Sequence, residues 1–229
     1  MGIFGKLTGK DRAESWKILS EEMGAEFMDR GMLKGGPKIV LPYKNWNIEM
    51  DMYTETRQGH DGPNRAMEGA VVLGGDHNSS ITYTRIFVPF VKGSDFTLSV
   101  YKEGGLSKMM KVFGGQDIEI GIPDFDKDYR IKSNDEEKTK RLFQQEEFSR
   151  LLRENVAQGL FEVQDNKGLF TRKENVTMSH VLYRQVGEIT DHERVKNLFR
   201  LLGVTLDLLV TEGKAKDMTV SEFAYSRDE

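Results

Sequence analysis

The sequence predicts an α+β fold, a mainly antiparallel sheet covered on one face by helices and assembled from strand–strand–helix units. Three observations lead there. Trp46, Ile48, Met50 and Met52 alternate with Asn47, Glu49 and Asp51, the period of a strand with one apolar and one polar face. A sheet of such strands is antiparallel as a rule, since parallel sheets bury both faces. From Ser80 onward two apolar strand-like runs are followed by an amphipathic helical run, and this order occurs three times.

Taken in chain order, Asp11 to about Phe27 reads as a helix, with Trp16, Leu19, Met23 and Phe27 at spacings of three and four. Gly31, Gly35, Gly36 and Pro37 stop it. Lys38–Leu41 supplies a strand partner for Trp46–Tyr53, and residues 55–79 form a long polar loop interrupted by the apolar island Ala70–Leu73. The first unit has strands at Ile81–Val91 and Phe96–Tyr101 and a short helix at Leu106–Phe113. Strands at Asp117–Ile120 and Tyr129–Lys132 and a helix from Asn134 to about Val156 make the second. The third has Leu160–Gln164, Val176–Val186 and a helix from Asp191 to about Thr211.

The last two helices carry start signals. Ser133 with Glu136, and Thr190 with Glu193, have capping-box spacing, in which a hydroxyl and a carboxylate satisfy free backbone N–H groups. Glu136–Lys140, Glu137–Arg141 and Glu146–Arg150 have the four-residue spacing of helical ion pairs. Val195, Leu198, Phe199, Leu202, Leu206 and Leu209 form the apolar stripe of the final helix, which Gly213 ends. The expected organisation is a flexible segment over residues 1–10, one domain over 11–212 and a loose tail over 213–229, with Gly114–Gly115 the one alternative boundary.

Composition excludes several classes of function. The 229 residues are enough for a full core without staples. There is no cysteine, hence no disulfide, thiolate metal site or cysteine nucleophile. Lys and Arg total 33 against 37 Asp and Glu, so the net charge of −4 gives no electrostatic drive toward nucleic acid. No apolar run reaches the roughly 18 residues of a spanning helix. The cytoplasm is the expected compartment, as the first ten residues lack the features of an export signal. Ile3, Phe4 and Leu7 beside Lys6 and Lys10 would allow contact with an anionic membrane surface. Lys6 stands where myristoylation needs a hydroxyl.

Metal ligation has two candidate sets. His60–Asp61 and Asp76–His77 bracket the long loop and, brought together, would offer the nitrogen and carboxylate ligands of a hydrolytic centre. Asp124, Asp126 and Asp128 match the first ligands of a calcium loop, but Tyr129 stands at its glycine and Asp135 at its bidentate glutamate, so a solvated acidic hairpin turn is expected. His180 falls on a strand and His192 at a helix start. Glu49 and Asp51 alternate on a polar strand face, where a general acid and base would also sit. The glycine pairs at 35–36, 74–75, 104–105 and 114–115 lack any phosphate-loop pattern and read as turns. Among the methionines, Met109 and Met110 suit an adaptable groove, while Met50 and Met52 face the core.

The stretch Phe113-Gly-Gly-Gln-Asp117-Ile-Glu-Ile-Gly121, followed by Phe125-Asp126, by Tyr129–Asn134 and by the helix with Leu151 and Leu152, resembles a pattern of uncharacterised bacterial domains of unknown function. The similarity runs from about Phe96 onward, implies a bacterial source and assigns no activity; the residues themselves read as a hairpin of Gln116–Ile120 with Tyr129–Lys132 whose Phe125 plugs the core near the turn. With no nucleophile, base and oxyanion donors in a recognisable arrangement, the expected function is a non-catalytic binding module for a protein partner or small ligand, without a cofactor. A metal-dependent hydrolase on the 55–79 loop and a peripheral membrane protein are the alternatives.

Overall fold

The computed structural model describes residues 9–31, 36–57, 79–102, 116–165 and 178–220. Among the described residues, nine strands form one antiparallel sheet: β1 (Glu26–Asp29), β2 (Pro37–Tyr43), β3 (Trp46–Arg57), β4 (Ser79–Val91), β5 (Leu98–Lys102), β6 (Gln116–Asp117), β7 (Tyr129–Ser133), β8 (Leu160–Asp165) and β9 (Met178–Val186). Their order across the sheet is β1-β2-β3-β4-β9-β8-β5-β7-β6, so strands from both sides of Gly114–Gly115 pair in it. The described helices that accompany the sheet are α1 (Gly9–Met23), α2 (Pro123–Asp128), α3 (Glu136–Phe143), α4 (Glu146–Asn155) and α5 (His192–Thr211). The α+β class and the antiparallel sheet are therefore as the sequence indicates.

Register assigns the two faces. Met50 lies opposite Ile86, Ile86 opposite Tyr183, and Tyr183 opposite Phe161, so these side chains share one face. That face joins the main core with Trp16 and Leu19 of α1, Phe148 and Leu151 of α4, and Leu198, Leu202 and Leu206 of α5. The opposite face carries Asp51, Arg85, Phe87, Leu182, His180 and Glu162, none of which belongs to that core. A small second cluster there comprises Ile81, Tyr83 and Leu160 with Tyr101 against it, and no described helix contributes to it.

Several boundaries differ from the sequence reading. Gly24, at φ 65°, turns the chain into the left-handed region and ends α1 four residues before the expected stop, placing Phe27 on β1. Gly31 and Gly36 instead shape the β1–β2 turn, where the Gly36 amide donates to the Gly31 carbonyl at 3.0 Å. The expected helix over 134–156 is two, α3 and α4. Phe143 and Phe148 are five residues apart, which on one continuous helix would point them about 140° apart. The break at Gln144–Gln145 turns both into the core, where their rings meet edge to face at 5.3 Å. Edge-to-face contacts extend from Phe143 to Phe125 at 5.0 Å and from Phe148 to Phe161 at 6.2 Å, tying α2, α3, α4 and β8 together.

The caps fall on aspartates. Asp135 accepts from the Lys138 amide at 3.1 Å and Asp191 from the Arg194 amide at 3.0 Å, in place of Ser133 and Thr190. A carboxylate at the positive end of a helix makes the stronger, charge-assisted bond. Glu136–Lys140 and Glu137–Arg141 pair as expected, whereas Arg150 turns forward to Glu154. The 124–128 stretch is the helix α2, not a hairpin turn, and β6 stops at Asp117. Asp126 explains both differences: its carboxylate accepts from the Ile120 and Gly121 amides, each at 2.9 Å, taking those groups out of strand pairing.

Residues 214–216, expected to begin a loose tail, are fixed to the fold. Ala215 is buried and pairs with Lys92, and the Lys216 amide donates to the Val91 carbonyl at 2.9 Å. The Lys214 ammonium, also buried, donates to the Asp95 carbonyl at 2.9 Å and lies 3.3 Å from Asp135. The expected helix at 106–113 lies outside the described residues.

Candidate functional site

Among the described residues, a groove of about 560 Å³ lies between α1, β2, α4 and α5. Its principal wall is α5, where Lys196, Arg200 and Val204 recur every fourth residue and so lie along one stripe. Phe199 of α5, Leu41 of β2 and Met23 of α1 give it an apolar floor.

A glycine sets the wall at the β2–β3 hairpin. A Cβ on Gly203 would lie 2.9 Å from the Tyr43 ring, so only the bare backbone lets that ring rest on α5. One turn further along α5, Asp207 Oδ2 accepts a hydrogen bond from the Tyr43 hydroxyl at 2.7 Å. Asp207 Oδ1 accepts from the Lys44 ammonium at 2.5 Å, and that nitrogen lies 5.5 Å from the Tyr43 ring centroid. Lys44 sits in the two-residue turn between β2 and β3 at φ 52°, a left-handed conformation that glycine adopts far more readily.

The rim is made of ion pairs. Lys196 bridges Glu22 of α1 at 2.9 Å and Glu193 at 2.7 Å; Arg200 meets Glu147 of α4 at 2.5 Å. The hydrogen bond from Lys196 holds the Glu22 carboxyl below its ordinary value, and Glu193 and Glu22 hold Lys196 above its own. Burial, then the bond to Asp207, pushes the Tyr43 phenol up. At neutral pH Glu22 is thus a carboxylate, Lys196 an ammonium and the Tyr43 phenol protonated. Glu22, Glu147, Glu193 and Asp207 are each held by a cation or a hydroxyl within this set.

A second concentration of polar groups is buried on the sheet's other face. Arg85 forms a bidentate pair with Asp51 at 2.6 and 2.9 Å and lies between the rings of Tyr53 and Phe87, 4.9 and 4.8 Å from their centroids. Arg184 is 3.2 Å from Glu162, which is 0% exposed. His180, likewise 0% exposed, is pushed down to about 3 by burial, reinforced by the positive charges of Arg85 and Arg184. A sheet face read from alternation as wet is therefore buried along β4, β9 and β8, where Arg85 and Arg184 stand opposite one another and each is paired with a carboxylate, Asp51 and Glu162.

The sequence-derived candidates divide as follows. His60, Asp61, Asp76 and His77 lie outside the described residues, as do Ile3, Phe4, Leu7, Met109 and Met110. Glu49 and Asp51 are not an acid–base pair, since Glu49 is held by Lys38 at 2.5 Å and Asp51 by Arg85. Asp126, the middle ligand of the calcium-loop reading, is committed to backbone amides, and the Asp124–Asp128 stretch lies on the short helix α2. His192 bonds Ser15 at 2.9 Å and so joins α5 to α1. Tyr43, Arg200, Gly203 and Asp207 were not singled out; the one available signal was Gly203, a glycine inside a strongly apolar helical run.

No family model and no curated protein matches the chain. Among solved structures it is similar to the mycobacterial trehalose monomycolate transport factor A, TtfA, at 8% identity, with 86% of this chain and 93% of that chain covered and a TM-score of 0.47. A likeness at that level assigns no function.

Proposed function

We propose that the protein is a non-catalytic binding module whose groove between α1, β2, α4 and α5 receives a small amphipathic ligand. One observation carries this reading: an open cavity of about 560 Å³ combines an apolar floor with polar groups whose positions are fixed before any ligand arrives. That volume lies within the range of small-molecule sites, roughly 300–1,000 Å³. Preorganisation supports it, because a wall held by Gly203, Tyr43 and Asp207 spares a ligand the cost of ordering it. The charge states argue for holding and against turnover.

The test is a methyl-detected NMR titration of the full chain with a set of small amphiphiles, repeated on Val204→Trp. Val204 is half-buried on the groove side of α5, so the indole fills the cavity without entering the core. Shifts centred on Leu41 and Val204 in the parent protein, abolished in the variant, are the expected result. Binding that is unchanged in Val204→Trp would remove the groove from consideration.

A further inference from the structure

We infer that the Tyr43–Asp207 corner of the groove is a seat for the ammonium group of a small cationic amphiphile, a seat that the chain's own Lys44 fills when no ligand is bound. This inference rests on the groove being the binding site. The arrangement at the corner is that of cation recognition: a carboxylate oxygen 2.5 Å from an ammonium nitrogen, with an aromatic ring 5.5 Å away. Tyr43 fixes the second carboxylate oxygen through its hydroxyl, so Asp207 stays oriented whichever cation occupies the corner.

Lys44 is suited to withdraw. Its side chain is 56% exposed and ends a flexible stem, and an ion pair so open to water contributes little. When it leaves, the groove lining holds three carboxylates, Glu22, Glu147 and Asp207, against two cations, Lys196 and Arg200. Both cations are already paired, with Glu22 and Glu147, whereas Asp207 is then open to an incoming ammonium. An anionic head group would meet Asp207 unfavourably and would have to break one of the two rim pairs. Leu41, Phe199 and Val204 line the same cavity and accept the apolar body of the ligand.

The experiment compares octylammonium, octanol and octyl sulfate, below their micellar concentrations, by calorimetry on the full chain. Octylammonium is expected to bind at least ten-fold more tightly than octanol, and octyl sulfate more weakly than either. Lys44→Gly removes the internal competitor and suits the left-handed backbone, so it should tighten octylammonium several-fold and leave octanol unchanged. Asp207→Asn should reduce octylammonium to the level of octanol. Equal binding of octylammonium and octanol, blocked by Val204→Trp, would overturn the ammonium seat while leaving the groove in place. Absence of binding by all three probes, or binding indifferent to Val204→Trp, would overturn the groove as well.

Discussion

Acidification should destabilise the protein through His180. In the fold this imidazole is 0% exposed and its pKa is pushed from 6.5 to about 3, by burial first and then by Arg85 and Arg184, against a smaller opposing effect of Asp165. Between those two values the unfolded chain takes up a proton that the native state refuses, so stability falls as pH drops from 6.5 and the loss levels off below about 3. The difference amounts to about 2 kcal/mol at about pH 5 and about 4 kcal/mol near pH 3. His180→Gln keeps a polar side chain of similar size that cannot ionise in this range. Urea unfolding of both proteins at about pH 7.5 and about pH 5 measures the effect. The parent should lose about 2 kcal/mol more than the variant over that interval, before Glu22, Asp95 and Asp135, whose carboxyls are all held low, begin to contribute. Parallel pH profiles for the two proteins would refute the reasoning, because they would mean that the imidazole accepts a proton as easily in the fold as outside it.

Three further outcomes follow from packing. Gly203→Ala should lower stability by about 1 kcal/mol, because displacing the Tyr43 ring outweighs the roughly 1 kcal/mol an alanine gains in a helix; a raised melting temperature would show the ring is not seated on α5. Arg85→Leu should cost about 3 kcal/mol by leaving Asp51, only 5% exposed, without its bidentate partner, and adding Asp51→Asn should recover part of the loss in denaturant unfolding. Ala215→Asp should cost about 2 kcal/mol by burying a carboxylate, a change a loose tail would tolerate and a calorimetric scan would resolve.

What the sequence made legible was whatever depends on local period. Trp46, Ile48 and Met50 announce the core face of β3, and the leucine stripe of α5 announces the helix that packs on it. The burial of Asp51 was not legible, because it depends on the register that sets Arg85 opposite it. The break between α3 and α4 was hidden because charges and good helix formers run through Gln144–Gln145; only the demand that Phe143 and Phe148 reach the same core reveals it. The groove was invisible for a similar reason. Tyr43 and Asp207 are 164 residues apart in sequence, and neither belongs to a motif. The metal candidates were legible only as residue types in a loop, and spacing cannot say whether His60 and His77 meet.

The most direct measurement of the account is a crystal structure of the full chain grown with octylammonium. The account predicts an alkyl chain lying over Leu41 and Phe199, its ammonium within hydrogen-bonding distance of Asp207, and Lys44 turned out to solvent. An empty groove with Lys44 still on Asp207, and the amphiphile bound instead on the opposite face of the sheet beside Tyr53, would contradict it.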